Sequence, residues 1–175
     1  MQNSRTHASS RSRRLSPADE EGRATHKLVK TVCGAAKSAP ELMWPEAVER
    51  IAQFLRESEA LGRIEELPPG VDTPPGQGAR VETFECDGRA LVVLVPGNRA
   101  IDRARLARRG GCTDLRPATA RAFPFQGVRV LLDRSLLVVG TVWLEAGSPR
   151  HVLGLGPSQL LRLTRAETGA FLLED

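Results

Sequence analysis

Val81-Glu82-Thr83-Phe84-Glu85-Cys86-Asp87-Gly88-Arg89-Ala90-Leu91-Val92-Val93-Leu94-Val95 is the stretch from which the rest of this chain is best read. Two runs rich in β-formers flank Asp87-Gly88, a dipeptide preferred where a tight turn needs positive φ, so the segment is predicted to be a β-hairpin. The second run is apolar from Ala90 to Val95. A strand with one wet face would alternate, so this one is expected to be covered on both faces.

Upstream of the hairpin, Pro45 suits a first helical position, and Ala47, Val48, Ile51, Phe54 and Leu55 recur at three- and four-residue spacing. An amphipathic helix is predicted over 45–61, with Gly62 as its stop, a short strand over 63–67 and a breaker-rich loop over 68–78. Downstream, a short helix over 102–109 should turn Leu106 inward and its arginines outward. There follow a turn region over 117–125, strands over 128–133, 141–145 and 151–155, a helix over 157–163 and a last strand over 169–173. The elements lack the regular βαβ rhythm of a doubly wound sheet. The expected fold is α/β in the mixed α+β sense, a curved mixed sheet flanked by helices.

The net charge of +4 is unevenly distributed. Residues 1–43 hold eight Lys or Arg against four Asp or Glu, whereas 44–175 hold seventeen of each. The chain therefore divides into a basic tail over 1–43, without apolar periodicity and expected to be disordered, and one domain over 44–175. A solvated extension is the leading reading of the tail, and a weak RNA anchor is a second. The domain has no composition-level phosphate-binding face.

Cys33, Cys86 and Cys112 are odd in number and share no CxxC spacing, so neither a zinc site nor a disulfide framework is expected, and a reducing, cytoplasmic compartment follows. No apolar run reaches the ~20 residues of a membrane helix, and no secretory signal is visible.

No phosphate-binding loop, dinucleotide fingerprint, nucleophile elbow or zinc-protease motif is present. His151 is the only histidine beyond the tail. Without a spacing that supplies a nucleophile and an orienting carboxylate, a hydrogen-bonded structural role is favoured for it. Glu65-Glu66 and Glu174-Asp175 are adjacent pairs whose side chains would diverge on a strand. The seven aromatics are scattered, as core residues are, and form no visible stacking platform.

Three later segments carry a resemblance: Val130-Leu131-Leu132-Asp133-Arg134-Ser135-Leu136-Leu137, Val142-Trp143-Leu144-Glu145-Ala146-Gly147-Ser148-Pro149-Arg150-His151 and Pro157-Ser158-Gln159-Leu160. Together they resemble the closing part of YbaK/EbsC domains, a family that includes free-standing deacylases and the editing insertion of bacterial prolyl-tRNA synthetases. The 45–62 helix resembles the family's opening helix, and Cys86 to Gly97 its central hairpin. The resemblance implies hydrolysis of the ester of mischarged tRNA, with the tRNA acceptor end and an aminoacyl-tRNA synthetase as candidate partners and no cofactor, metal or membrane. In such domains a lysine near the substrate and N–H groups of a glycine-rich turn supply position and electrostatics.

On that resemblance the matching position for the lysine is Glu82, with Arg80, Thr83, Pro124, Gly147 and Ser148 lining the substrate site. The chain departs from the pattern at two places. Glutamate stands for the lysine, and Arg121-Ala122-Phe123-Pro124 keeps the proline without the paired glycines. Arg80 is no simple replacement, because a guanidinium is a planar fork. Gly147 is open to two readings, an N–H donor or a strand-end turn, and Asp133 is expected to cap the turn at Arg134-Ser135. A lapsed binding module that keeps the fold is the alternative to an active deacylase.

Overall fold

A computed structural model describes residues 43–174. Apart from Met43, the tail expected over 1–43 lies outside the described residues, as does Cys33.

Helix α1 runs Glu46–Glu57 and buries Val48, Ile51, Ala52 and Leu55, the stripe its periodicity requires. It ends a turn earlier than expected. Ser58 is its C-cap, Glu59 adopts a φ of 49°, and the Ala60 N–H returns to the Leu55 carbonyl at 2.9 Å. Gly62 instead opens strand β1 (Gly62–Glu66), where a Cβ would stand 2.8 Å from a Leu155 methyl. It is a packing glycine, not the helix stop.

The hairpin forms as predicted: β2 (Ala79–Cys86) and β3 (Arg89–Pro96) pair antiparallel around Asp87 and Gly88, both at positive φ. Strand β4 (Leu115–Pro117), which the sequence did not announce, adds three residues to the free edge of β2. On the other side β5 (Arg129–Asp133) runs parallel to β3, and β8 (Glu167–Gly169) parallel to β5. A second sheet has the order β1-β7-β6, with β6 spanning Val142–Ser148 and β7 His151–Leu155. The mixed α/β fold expected from sequence is built as two sheets, five- and three-stranded, which meet at a bridge between Gly78 and Trp143.

Strand β3 explains why its run is apolar throughout. Val92 and Leu94 enter the main core with α1, β5, β6, β7 and α3 (Pro157–Thr164), while Leu91, Val93 and Val95 enter a second core with Phe84, Leu106, Leu131 and Phe171. Helix α2 (Arg103–Gly110) covers the second core through Leu106, with Asp102 accepting the Arg105 N–H at its N-terminus and Gly111 left-handed at its end. The last strand is shorter and earlier than the expected 169–173. Beyond Gly169 the chain is drawn inward by Phe171, whose N–H donates to buried Asp133 at 2.8 Å.

Two cysteines overturn the expectation that no disulfide forms. Cys86, at the end of β2, is bonded to Cys112, just past α2. A separation of 26 residues carries no recognisable spacing; the hairpin and α2 bring the two together in space. The argument from unpaired cysteines to a reducing compartment falls with it. Among the described residues, no helix is long and apolar enough to cross a membrane.

Candidate functional site

A cleft of about 420 Å³ opens between one face of α1 and the segment that carries Pro124. Ala47, Arg50, Phe54 and Glu57 form one wall, because residues three and four apart on a helix share a face. Ala122, Phe123, Pro124 and Gln126 form the other, and Gly147 lies at one end. The Phe123–Pro124 peptide is cis, and Phe123 packs edge-on against both Phe54 and Phe125, at centroid separations of 5.7 and 5.8 Å. The interior is mainly apolar, with the guanidinium, carboxylate and amides of Arg50, Glu57, Gln53 and Gln126 around it.

Of the residues named from sequence, the cleft brings together Pro124 and Gly147. Gly147 has a φ of 79°, and a Cβ there would stand 2.9 Å from the Ala47 Cβ and backbone carbon. The irregular pairing between Glu145 and Ser148 presses this turn against the first turn of α1. Ser148 faces His151 rather than the cleft: its Oγ lies 2.7 Å from Nδ1. His151 is buried and stands edge-on to Trp44, which fits a structural histidine.

Thr83 supports the site from behind. Its Oγ1 accepts the Arg121 N–H at 3.0 Å and its carbonyl the Ala118 N–H at 2.9 Å, so it ties down the chain leading into the Pro124 wall. Glu82 is on the other face of the same strand. Its cross-strand partner Val93 and its same-face neighbour Phe84 belong to the second core, whereas Thr83 pairs with Val92 of the main core. Glu82 forms an ion pair with Arg80 at 2.8 Å, and Arg80 also donates to the Arg99 carbonyl. Neither residue lines the cleft.

Asp133 does what its sequence position suggested. One carboxylate oxygen accepts the Ser135 N–H and hydroxyl at 2.9 and 2.6 Å, and the other the Phe171 N–H. Among the described residues two carboxylates, Asp87 and Glu167, have lowered pKa values, and both lie outside the cleft. Asp87 is held down by hydrogen bonds from the Thr113 hydroxyl and the Thr113 and Asp114 N–H groups, and Glu167 by the Arg129 guanidinium. Among the described residues no cluster of three or more His, Cys, Asp or Glu could hold a metal ion.

Arg50, Phe54, Phe123 and Gln126 were missed as site residues. The helical stripe and the aromatic pair read equally well as core, and only the gap between two elements distant in sequence turns them into walls.

No family profile and no characterised protein matches the sequence. Solved structures do match the fold. A protein proposed to be a trans-editing enzyme for prolyl-tRNA synthetase superposes with a TM-score of 0.64 at 22% identity, covering 75% of this chain and 100% of that one. A scaffold protein used for computational grafting of linear epitopes gives 0.66 at 22% identity over the same shares. A protein from Marinobacter aquaeolei proposed to act in signal transduction gives 0.59 at 21% identity, over 75% of this chain and 31% of that one. The same architecture therefore serves chains of different description, and what this chain shares with them is the fold alone: it has a YbaK-like fold.

Proposed function

We propose that the protein is an aminoacyl-tRNA deacylase-like hydrolase that acts in trans on mischarged tRNA in the cytoplasm, taking the aminoacyl end of the acceptor strand into the cleft between α1 and Pro124. The observation that carries this reading is the cleft itself, a mainly apolar groove of about 420 Å³ with Arg50 beside it, in a fold also found in a protein proposed to edit for prolyl-tRNA synthetase. An apolar groove suits an amino-acid side chain, and the guanidinium suits a phosphate. Water attacks the ester carbonyl, the carbonyl–ribose oxygen bond breaks, and the ribose oxygen takes the proton. Each preorganised N–H donor at the developing oxyanion contributes about 3 kcal/mol. Incubating the full chain with a panel of mischarged tRNAs tests the reading; release no faster than in buffer for every pair rejects it.

One observation favours a second reading, a binding module that holds the tRNA 3′ end without hydrolysing it. Glu82, at the position where the resemblance puts a catalytic lysine, shares the face of the second core and is engaged by Arg80. Ala122 and Phe123, where paired glycines would expose backbone N–H groups, carry side chains. Retention of charged tRNA on the protein with its ester intact would support this reading over the first.

A further inference from the structure

The chain between α2 and the cleft is a strap with few apolar anchors. Leu115 is half-buried, every residue from 116 to 122 is exposed, and the next buried side chain is Phe123 in the cleft wall. What holds the strap is β4, three residues on the edge of β2, together with the two hydrogen bonds to Thr83. Segments with so little buried apolar surface open at lower free energy than the strands beneath them.

At its start the strap is pinned covalently by Cys86–Cys112. Both cysteines are partly exposed, and Cys86 lines a second cleft, about 660 Å³, with Asp87, Arg89, Gly111 and Arg129. Beside the bond lies a non-covalent clasp. The Asp87 carboxylate accepts the Thr113 hydroxyl and N–H at 2.6 and 3.1 Å and the Asp114 N–H at 2.7 Å, and the Asp87 N–H donates to the Asp114 carbonyl at 3.0 Å. Arg129 adds a hydrogen bond to the Gly110 carbonyl at 2.7 Å. These contacts do not involve sulfur, so they survive reduction and keep the two thiols in register for reoxidation.

We propose that Cys86–Cys112 is a reversible thiol-exchange site for a dithiol reductant, and that its redox state controls how firmly the 112–121 strap is docked and so the shape of the cleft wall at 122–126. A reductant thiolate enters the second cleft and attacks Cys86 Sγ. The Cys86–Cys112 bond breaks, and Cys112 leaves as a thiolate that takes a proton. The second reductant thiolate then resolves the mixed disulfide, Cys86 is protonated, and the reductant departs as its own disulfide. Two electrons and two protons pass to the protein. In the oxidised form the strap is fixed at both ends, by the bond and by Phe123. In the reduced form its first end is held by the Asp87 clasp, the short β4 ladder and the half-buried Leu115, with no covalent link. The link to the cleft rests on the functional reading above, but strap docking can be measured without any tRNA.

The test is hydrogen exchange followed by mass spectrometry on the full chain, after treatment with oxidised glutathione or with dithiothreitol, with alkylation of each cysteine-bearing peptide reporting its state. Reduction should raise exchange about tenfold or more over 112–121 and measurably over 122–126, leave β3 and β5 protected, and be reversed by reoxidation. Cys112→Ser should show the reduced pattern whatever the treatment. If Cys86 and Cys112 stay alkylatable after oxidation, if exchange over 112–126 is the same in both states, or if the rise stops before 122, the proposal is overturned. Global unfolding of the chemically reduced wild type would also overturn it, since the bond would then be purely structural.

Discussion

Gly147 is closed against Ala47, so that the bulged end of β6 and the first turn of α1 meet backbone to backbone. A Cβ at 147 would stand 2.9 Å from the Ala47 carbonyl carbon and 3.0 Å from its oxygen, at a φ of 79° that side chains rarely adopt. Gly147→Ala must both strain the turn and push α1 outward, widening the cleft. A loss of about 2–4 kcal/mol in denaturant-induced unfolding is expected. A variant within about 0.5 kcal/mol of wild type would show that α1 adjusts freely.

Glu82→Lys is expected to create no deacylase activity and to change none that exists, because position 82 faces the second core side and not the cleft. Loss of the Arg80 ion pair should be felt weakly, since Arg80 and Glu82 side chains are 42% and 34% exposed; a change under about 1 kcal/mol is expected. Deacylation rates and unfolding midpoints of the two proteins, measured side by side, check both parts. A gain of activity in the lysine variant would mean that β2 rotates or shifts register when substrate binds.

Asp133 ties the end of β5 to the turn at Ser135 and to Phe171 with one side chain, and it is 2% exposed. Its removal leaves the Ser135 and Phe171 N–H groups without their acceptor in a buried setting. Asp133→Ala is expected to cost about 2–4 kcal/mol and to loosen the chain after Gly169, which carries Phe171 into the second core. Proteolytic release of the last residues, faster in the variant than in wild type, is the specific sign; equal release would put the anchor elsewhere.

The pH dependence follows from Asp87 and Glu167. Both have folded-state pKa values below their ordinary ones, so the stability they contribute is fully present above the unfolded pKa and is lost as pH falls through the folded pKa. With unperturbed values of about 3.9 and 4.3, the melting temperature should hold steady from neutral pH to about pH 5 and fall below that. Asp87→Asn should flatten the acid limb. An unchanged acid limb in that variant would mean that the clasp to Thr113 and Asp114 adds nothing to folding.

The hairpin, the two-sided burial of β3 and the three helices were readable because each depends on local pattern: an Asp-Gly turn, an unbroken apolar run, a stripe at helical spacing. What was hidden depends on distant partners. Nothing in Leu115-Arg116-Pro117 announces a strand, since its pairing with β2 is an edge ladder with little burial. Cys86 and Cys112 look unrelated until α2 folds back beside the hairpin. The candidate site was half legible for the same reason. Pro124 and Gly147, named through resemblance, line the cleft, but the face on which Glu82 falls is fixed by strand register, and register is set by the two cores that β3 separates.

Arg50 offers the sharpest test of the cleft as a tRNA site. Its side chain is 71% exposed, and its ion pair to Glu46 spans 4.0 Å, so Arg50→Glu should leave folding nearly unchanged. If the guanidinium meets a phosphate of the acceptor strand, the variant should raise KM or Kd for aminoacyl-tRNA about tenfold, leave kcat close to wild type, and reduce the salt dependence of binding by about one counterion. Arg108→Glu makes the same change in charge on α2, across the five-stranded sheet from the cleft, and serves as the control for a general electrostatic effect. Equal weakening by both variants would mean that the tRNA senses only the overall charge. Weakening by Arg108→Glu alone would move the nucleic-acid face to the α2 side, away from Pro124 and Gly147.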